Sequence, residues 1–276
     1  MSTKRSANKP AAAGPSVLWC LGPAGTSSYD GALELFPKAT IKLSANFDAL
    51  FEMLRRTNGV GFVPIENSLH GSIDEVLDLL IATGVKIWRT YDVAIHYAFG
   101  AVDPKKISQV ASHPQALAHC RQFLRKHYPL IEYFPVNSTA YAIELALKHS
   151  TIGAIGRVTT MRQRGLPVLH TEIQGKGNTT RFAIVATKNP FPNIKPRRMS
   201  IVLRPTGDRP GLLHDLLTPF KVYDVNLTRI ESRPAGTRLG EYVFFVDLEG
   251  NASDARTKKV FEELRRFAEI TVLGEW

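Results

Sequence analysis

The stretch Val63–Leu80, VPIENSLHGSIDEVLDLL, decides the fold class. Its apolar start completes a short strand from Val60 to Pro64, its middle is polar, and from Ser72 to Ala82 apolar residues return at helical spacing. Ser72 followed by Glu75 makes a capping box, which assigns that pair to a helix start. The residues left over, Glu66, Asn67 and Ser68, put a carboxylate, an amide and a hydroxyl at the end of a strand, where open α/β sheets bind ligands. A hydrogen-bonded turn uses the same residue types, so this corner alone does not separate a site from a loop.

The same rhythm runs outward in both directions. Upstream, Val17–Leu21 reads as a strand, Tyr29–Phe36 as a helix and Ile41–Leu43 as a strand, and Phe47, Leu50, Phe51 and Leu54 mark one helical face. Downstream lie a β-rich stretch from Val85 to Val102, a strand at Gln109–Ala111, helices over Gln115–His127 and Thr139–Lys148, and a strand at Ile152–Ile155. The stretch GNTTRFAIVAT, Gly177–Thr187, closes the series as a further strand. Such alternation predicts an α/β layer fold, and the long β crossing predicts two lobes with a cleft between them, the second lobe covering about 103–178.

Residues 189–198, NPFPNIKPRR, break the pattern with three prolines and read as a linker. After it the order is strand, helix, strand, strand, helix, strand, a ferredoxin-like βαββαβ module. The expected division is a disordered tail over 1–15, an α/β part over 16–188, the linker, and the module over 199–276.

The 276 residues are 44% hydrophobic and 22% charged, ordinary for a globular protein of about two domains. No apolar run approaches the roughly 18 residues of a membrane helix, and the start, MSTKRSANKPAAAGP, has basic residues with no apolar segment behind them. A cytoplasmic chain without a membrane partner is expected, with Cys20 and Cys120 as reduced core residues. The formal charge of +10 suits a nucleic acid, an acidic surface or a small anion. The Lys and Arg residues are scattered and form no nucleic-acid motif, so a solvated basic surface is expected and a nucleic-acid partner is not.

Several further corners carry polar groups. GPAGTSSYDGA, Gly22–Ala32, sets Thr26, Ser27 and Ser28 at a helix entry, where free N–H groups favour an anion and where a hydroxyl N-cap is the competing reading. SHPQALAHC, Ser112–Cys120, places Ser112 and His113 before Pro114 and Gln115; His113 reads first as a structural hydrogen-bonding residue. NSTA, Asn137–Ala140, puts Ser138 at another helix start. In GNTTRF, turn chemistry explains Gly177 and Asn178 but not Thr179, Thr180 and Arg181 in a row. No HExxH, CxxC or GxSxG motif and no Asp/Glu cluster for a hard cation occurs. What remains is a cleft lined by Ser, Thr, Asn, Gln, one Glu and one Arg, suited to holding a small polyanion without metal or cofactor.

In that order, GPAGTSSYDGA, VPIENSLHGS, SHPQALAHC, NSTA and NTTRF resemble the prephenate dehydratase family, and the similarity covers nearly the whole chain from Val17. RPGLLHDLLTPF, Arg209–Phe220, and NLTRIESRP, Asn226–Pro234, are similar to its regulatory ACT domain. The resemblance implies a catalytic part of two α/β lobes like type II periplasmic binding proteins, followed by the ACT module. It implies a carbon–oxygen lyase that converts prephenate to phenylpyruvate with loss of water and carbon dioxide, without metal or cofactor, on the route to L-phenylalanine.

Carried over residue by residue, the resemblance makes Thr180 the catalytic hydroxyl, with Asn67, Gln115 and Glu66 positioning substrate. Thr26, Ser68, Ser112, Ser138, Arg181 and Phe182 become expected lining, Phe182 by packing beneath the site; a structural ion pair is an equal reading of Arg181. In the ACT module it implies phenylalanine as effector at Gly211, Leu212, Asn226, Leu227, Glu231, Ser232 and Arg233, between two modules of a homodimer or homotetramer. The chain departs from the family at Ser27, where an aromatic residue is usual, and at Leu212, where a small one is. With no chorismate mutase segment before Val17, a monofunctional enzyme is expected. The competing functions are an arogenate dehydratase and a phenylalanine-sensing protein with a dead cleft; retention of Thr180, Asn67 and Gln115 speaks against the second.

Overall fold

The computed structural model describes residues 14–175, 177–191, 195–236, 238 and 240–276. Most of the tail expected over 1–15, and part of the linker expected over 189–198, lie outside these residues. The chain divides into two compact units, one running up to Leu77 and including Tyr91–Ala183, the other formed by Asp78–Thr90 and Ile184–Trp276.

In chain order the first elements are β1 (Val17–Leu21), α1 (Ser27–Leu35), β2 (Thr40–Ser44), α2 (Phe47–Thr57), β3 (Val60–Asn67), β4 (Gly71–Ser72), α3 (Asp74–Thr83) and β5 (Lys86–Ala94). They are followed by β6 (Ala98–Gly100), β7 (Gln109–Ser112), α4 (Pro114–His119), α5 (Arg121–His127), β8 (Glu132–Pro135), α6 (Thr139–Lys148), β9 (Ile152–Gly156), α7 (Val158–Arg164), β10 (Val168–His170) and β11 (Thr179–Ala186). These strands take part in two sheets. One has the order β5-β11-β3-β1-β2, and the other β10-β6-β9-β7-β8.

In the first lobe β1 pairs in parallel with both β2 and β3, which requires the helical crossovers α1 and α2. The α2 face read from the sequence is buried at Phe47, Leu50, Phe51 and Leu54, each contributing about 1.5–3 kcal/mol on burial. Asn46 caps α2 through Ala49 N, and Asn58 ends it in the left-handed region that Asn tolerates. The second lobe closes on Ile143, Ile152, Met161 and Leu166, with alanines at close approach.

Sequence and structure differ at identifiable points. The helix expected over 115–127 breaks at Cys120 into α4 and α5, because Cys120 takes φ −99° and ψ 3° and ends the α-helical geometry. Ser72 pairs opposite Glu66 in the short strand β4, and α3 begins two residues later at Asp74 rather than at Ser72. The β-rich stretch 85–102 divides into β5 and β6.

The second unit continues with β12 (Arg198–Pro205), α8 (Leu212–Val222), β13 (Leu227–Pro234), β14 (Tyr242–Glu249), α9 (Ala255–Leu264) and β15 (Ala268–Glu275), the βαββαβ order expected. Its antiparallel order is β13-β14-β12-β15, with both helices packed over Ile201, Leu203, Val246 and Leu248. Gly274 pairs in parallel with Ile87 of β5, and a Cβ there would stand 2.0 Å from the Ile87 carbonyl oxygen, so only glycine fits.

Candidate active site

The polar corner after β3 and the mouth of β11 meet in the first unit. Ser68 N donates to Thr179 O at 2.9 Å, Ser68 Oγ donates to Gly177 O, and Thr179 N donates to Ser68 Oγ at 2.9 Å. Ser68 is therefore a strut that seats the GNTT turn against the ENS corner.

Above that strut a chain of amides has a defined direction. Asn67 Oδ1 accepts from the backbone N–H groups of Leu69 at 3.0 Å and His70 at 3.2 Å, which fixes the amide's orientation. Its Nδ2 must then donate, and it reaches Thr180 Oγ1 at 2.9 Å and Asn178 Oδ1 at 3.0 Å. Asn178 in turn presents Nδ2 to His119 Nδ1 at 2.9 Å, so Nδ1 accepts and the neutral ring carries its proton on Nε2. The His119 ring stacks on His70 at 4.5 Å, and burial first, with the neighbouring His70 second, lowers its pKa to about 4.

Because Thr180 Oγ accepts from Asn67, its own proton is left to point elsewhere. Thr180 is 8% exposed, and no acceptor for its hydroxyl occurs among the described residues. The hydroxyl is presented as an oriented donor, the role an oxygen leaving group requires.

Other expected site residues take structural duties. Ser112 is fully buried and donates to Ile155 O at 2.8 Å, which ties β7 to β9. Phe182 is also fully buried, stacked on Phe62 with ring centroids 4.5 Å apart, so it supports the floor. Arg181 is engaged on both forks: Nη1 lies 2.9 Å from Glu66 Oε2, and Nε lies 2.8 Å from Asp92 Oδ1. That geometry commits both Arg181 and Glu66 to an ion-pair frame at the strand mouth. Thr26 and Ser138 cap α1 and α6 through Tyr29 N and Tyr141 N. Gln115 is exposed at the start of α4, where its backbone N–H donates to His113 Nδ1. His113 is thus the N-cap of α4, a structural hydrogen-bonding role.

The sequence reading did not single out three residues with long-range polar contacts. Asn178, read as a turn residue, is buried to 5% exposure and links Asn67 to His119. His119 lies in the SHPQALAHC stretch, but only the fold brings it within reach of residue 178. Arg157, just after β9, is buried beside Asp30 of α1, with Nε 3.2 Å from Asp30 Oδ2.

In the second unit a cavity of about 320 Å³ is lined by residues including Arg204, Asp208, Leu212, Tyr242 and Phe244. Of the expected effector residues only Leu212 borders it. Gly211 caps α8 at φ 81°, a conformation that favours glycine. Glu231 pairs with Arg229 at 2.7 Å, and Arg233 pairs with Asp78 at 3.1 Å. Ser232 and Leu227 lie in β13, and Asn226 accepts from Glu249 N through its backbone.

A two-lobed α/β part with a hydroxyl donor held at a strand mouth, followed in the chain by a βαββαβ module, is the architecture of a small-molecule-binding protein with an appended second domain. Residues 18–190 match the family described as prephenate dehydratase, and residues 206–266 match the ACT domain. The chain belongs to the prephenate dehydratase family. It is 37% identical over 237 residues to the prephenate dehydratase of Methanocaldococcus jannaschii, covering 83% of this chain and 86% of that protein. The crystal structure of the prephenate dehydratase from Staphylococcus aureus superposes with a TM-score of 0.82 at 28% identity, over 94% of this chain and 99% of that one. The enzyme from Arthrobacter aurescens, solved in complex with L-Phe, gives 0.82 at 32% identity, over 94% and 89%. Among the described residues no helix is long and apolar enough to cross a membrane.

Proposed function

We propose that the chain converts prephenate to phenylpyruvate, with Thr180 as the hydrogen-bond donor to the departing ring hydroxyl. In that reaction the ring C–O bond breaks, the C–C bond to the ring carboxylate releases carbon dioxide, and its electron pair completes the aromatic ring. One proton, supplied from solvent, leaves with the hydroxyl as water. The protein's part is to orient the dianion, to stabilise developing charge on the leaving oxygen, and to withhold cations from the carboxylate that departs. The contact of Asn67 Nδ2 with Thr180 Oγ1 at 2.9 Å carries the proposal, since it turns a weakly acidic hydroxyl into a donor of fixed direction. Asn67, Asn178 and His119 are positioning residues, and Arg181 with Glu66 and Asp92 is the frame that holds the strand mouth.

We further propose that phenylalanine binds the ACT module at the Gly211–Leu212 and Glu231–Arg233 segments and regulates this activity in a homo-oligomer in the cytoplasm. The relative solved with L-Phe, the ACT match and the intact ESRP segment support this reading. Following phenylpyruvate formation from prephenate, with and without phenylalanine, tests both parts; no turnover of prephenate removes the first, and turnover indifferent to phenylalanine removes the second.

A further inference from the structure

Arg157 is 8% exposed, and its Nη1 is buried with no hydrogen-bond partner among the described residues. Buried charged donors are nearly always paired, so a guanidinium edge left over in the interior marks a place where an acceptor is meant to arrive. The rest of the group is immobilised. Nε lies 3.2 Å from Asp30 Oδ2 and Nη2 lies 3.6 Å from Glu34 Oε2, both on α1. Asp30 Oδ2 also accepts from Thr159 Oγ1 at 3.1 Å and Thr160 Oγ1 at 3.2 Å, which ties α7 to α1 and fixes the plane of the guanidinium.

Two further features lie on the elements that hold Arg157. The α1 N-terminus, capped by Thr26, begins one turn before Asp30, and Gly25 at φ +87° lets Thr160 pack against it, with a Cβ there only 2.6 Å from Thr160 Cγ2. Burial pushes the Tyr97 hydroxyl up to about 12, with the Arg157 charge and Ser27 of that first turn acting in the opposite sense. The Tyr97 ring centroid is in turn 6.0 Å from that of His119. Polar groups thus run from Thr180 through Asn67, Asn178, His119 and Tyr97 to Arg157, with an oriented hydroxyl at one end and a fixed cation at the other.

We infer that Arg157 Nη1, with the α1 N-terminus, receives the side-chain 2-oxo carboxylate of the substrate, the carboxylate retained in the product. This inference rests on the dehydratase reading above. The substrate carries its leaving hydroxyl across the ring from both carboxylates, so a cation remote from Thr180 fits that end. Of the two carboxylates, the ring one must depart, and a fixed cation on it would stabilise the ground state more than the transition state. The side-chain carboxylate persists through substrate, transition state and product, so a fixed cation there orients without penalty. Arg181, on the same strand as Thr180, is committed to Glu66 and Asp92 and does not compete for this role.

The test uses the full chain and two probes, phenylpyruvate and its methyl ester, which differ in this carboxylate alone. Wild type should bind the acid at least about tenfold more tightly than the ester, as expected for a charge-assisted hydrogen bond. Arg157→Gln should reduce that preference to below about threefold while ester affinity stays within about threefold of wild type. Arg157→Lys, which keeps the charge against Asp30, should retain part of the preference and serves if the Gln variant does not fold. A variant that keeps the full preference, or that weakens acid and ester alike, overturns the assignment. Prephenate turnover by the same wild-type preparation separates the two readings: an active enzyme whose Gln or Lys variant keeps the full preference removes Arg157 alone.

Discussion

Asn67 donates to Thr180 across 113 residues of sequence, its Nδ2 2.9 Å from the threonine Oγ1. The bond has a direction because the other end of the Asn67 amide is already occupied by the N–H groups of Leu69 and His70. Asn67→Asp keeps the shape, replaces the donor by an acceptor and lets Thr180 turn its proton inward. We expect kcat to fall on the order of 10²-fold, with substrate affinity reduced far less. Parallel measurement of kcat and of the dissociation constant for phenylpyruvate checks this; an Asp variant with near-normal kcat would show that the direction of this bond is immaterial.

The acid behaviour of the site is expected to come from His119. Its lowered pKa, about 4, means that the unfolded chain binds more protons than the folded one between that value and the ordinary value of 6.5. The contribution is therefore neutral above about pH 6.5, and stability is lost as pH falls from there toward about 4. Burial also lowers His113 and His170, and both act in the same sense. Protonated His119 would also present an N–H to the Asn178 amide N–H and face His70 and Tyr97, with no acidic side chain among these neighbours. His119→Gln, which keeps an acceptor for Asn178, should retain activity within a few-fold and flatten the acid limb, whereas His119→Leu should lose about tenfold in kcat at neutral pH. An unchanged acid limb in the Gln variant would assign it elsewhere.

Arg181 should behave as scaffold. Its removal leaves Glu66 and Asp92 facing one another without their shared cation. Since the three side chains are 23%, 31% and 46% exposed, screening reduces the cost, and Arg181→Met is expected to destabilise by about 1–2 kcal/mol. A drop in Tm without a selective rise in KM fits this role. A large KM effect with unchanged Tm would instead make Arg181 a substrate contact.

Regulation has its own signature. Ser232→Ala should blunt inhibition by phenylalanine while basal turnover stays close to wild type. Arg233 is paired with Asp78 at 3.1 Å, so Asp78→Asn separates two roles for the arginine. If the ion pair transmits the effector's presence, the Asn variant copies Arg233→Ala; if Arg233 acts only on the effector, Asp78→Asn keeps full inhibition. Inhibition curves for the three variants decide.

The α/β order was legible because apolar runs and helical faces alternate cleanly, as at Val60–Pro64 and at the α2 face. Elements without that contrast were not. In β8 all four residues of Glu132–Pro135 are exposed, so no period-two signal exists, and the strand is defined only by its pairing with β7. Helix α7 is short and ends on Gly165 at φ 77°, too brief to show an amphipathic stripe. In the site, Thr180 and Asn67 could be picked out as polar groups at strand ends with duties beyond a turn. His119, Asn178 and Arg157 could not, because their partners lie 59 and 111 residues away for Asn178, and on α1 for Arg157. Ser112 shows the converse: a hydroxyl in a motif proved to be a strand tie.

The most direct test follows purified protein with prephenate, comparing wild type, Thr180→Ser and Thr180→Ala by phenylpyruvate formed per unit time at saturating substrate. Oriented hydrogen-bond donation predicts that Ser retains activity within about tenfold and that Ala loses on the order of 10²- to 10³-fold in kcat, with binding changed by less than about tenfold. A Thr180→Ala enzyme that turns over prephenate at nearly the wild-type rate would contradict it and move the chemistry to another group in the cleft.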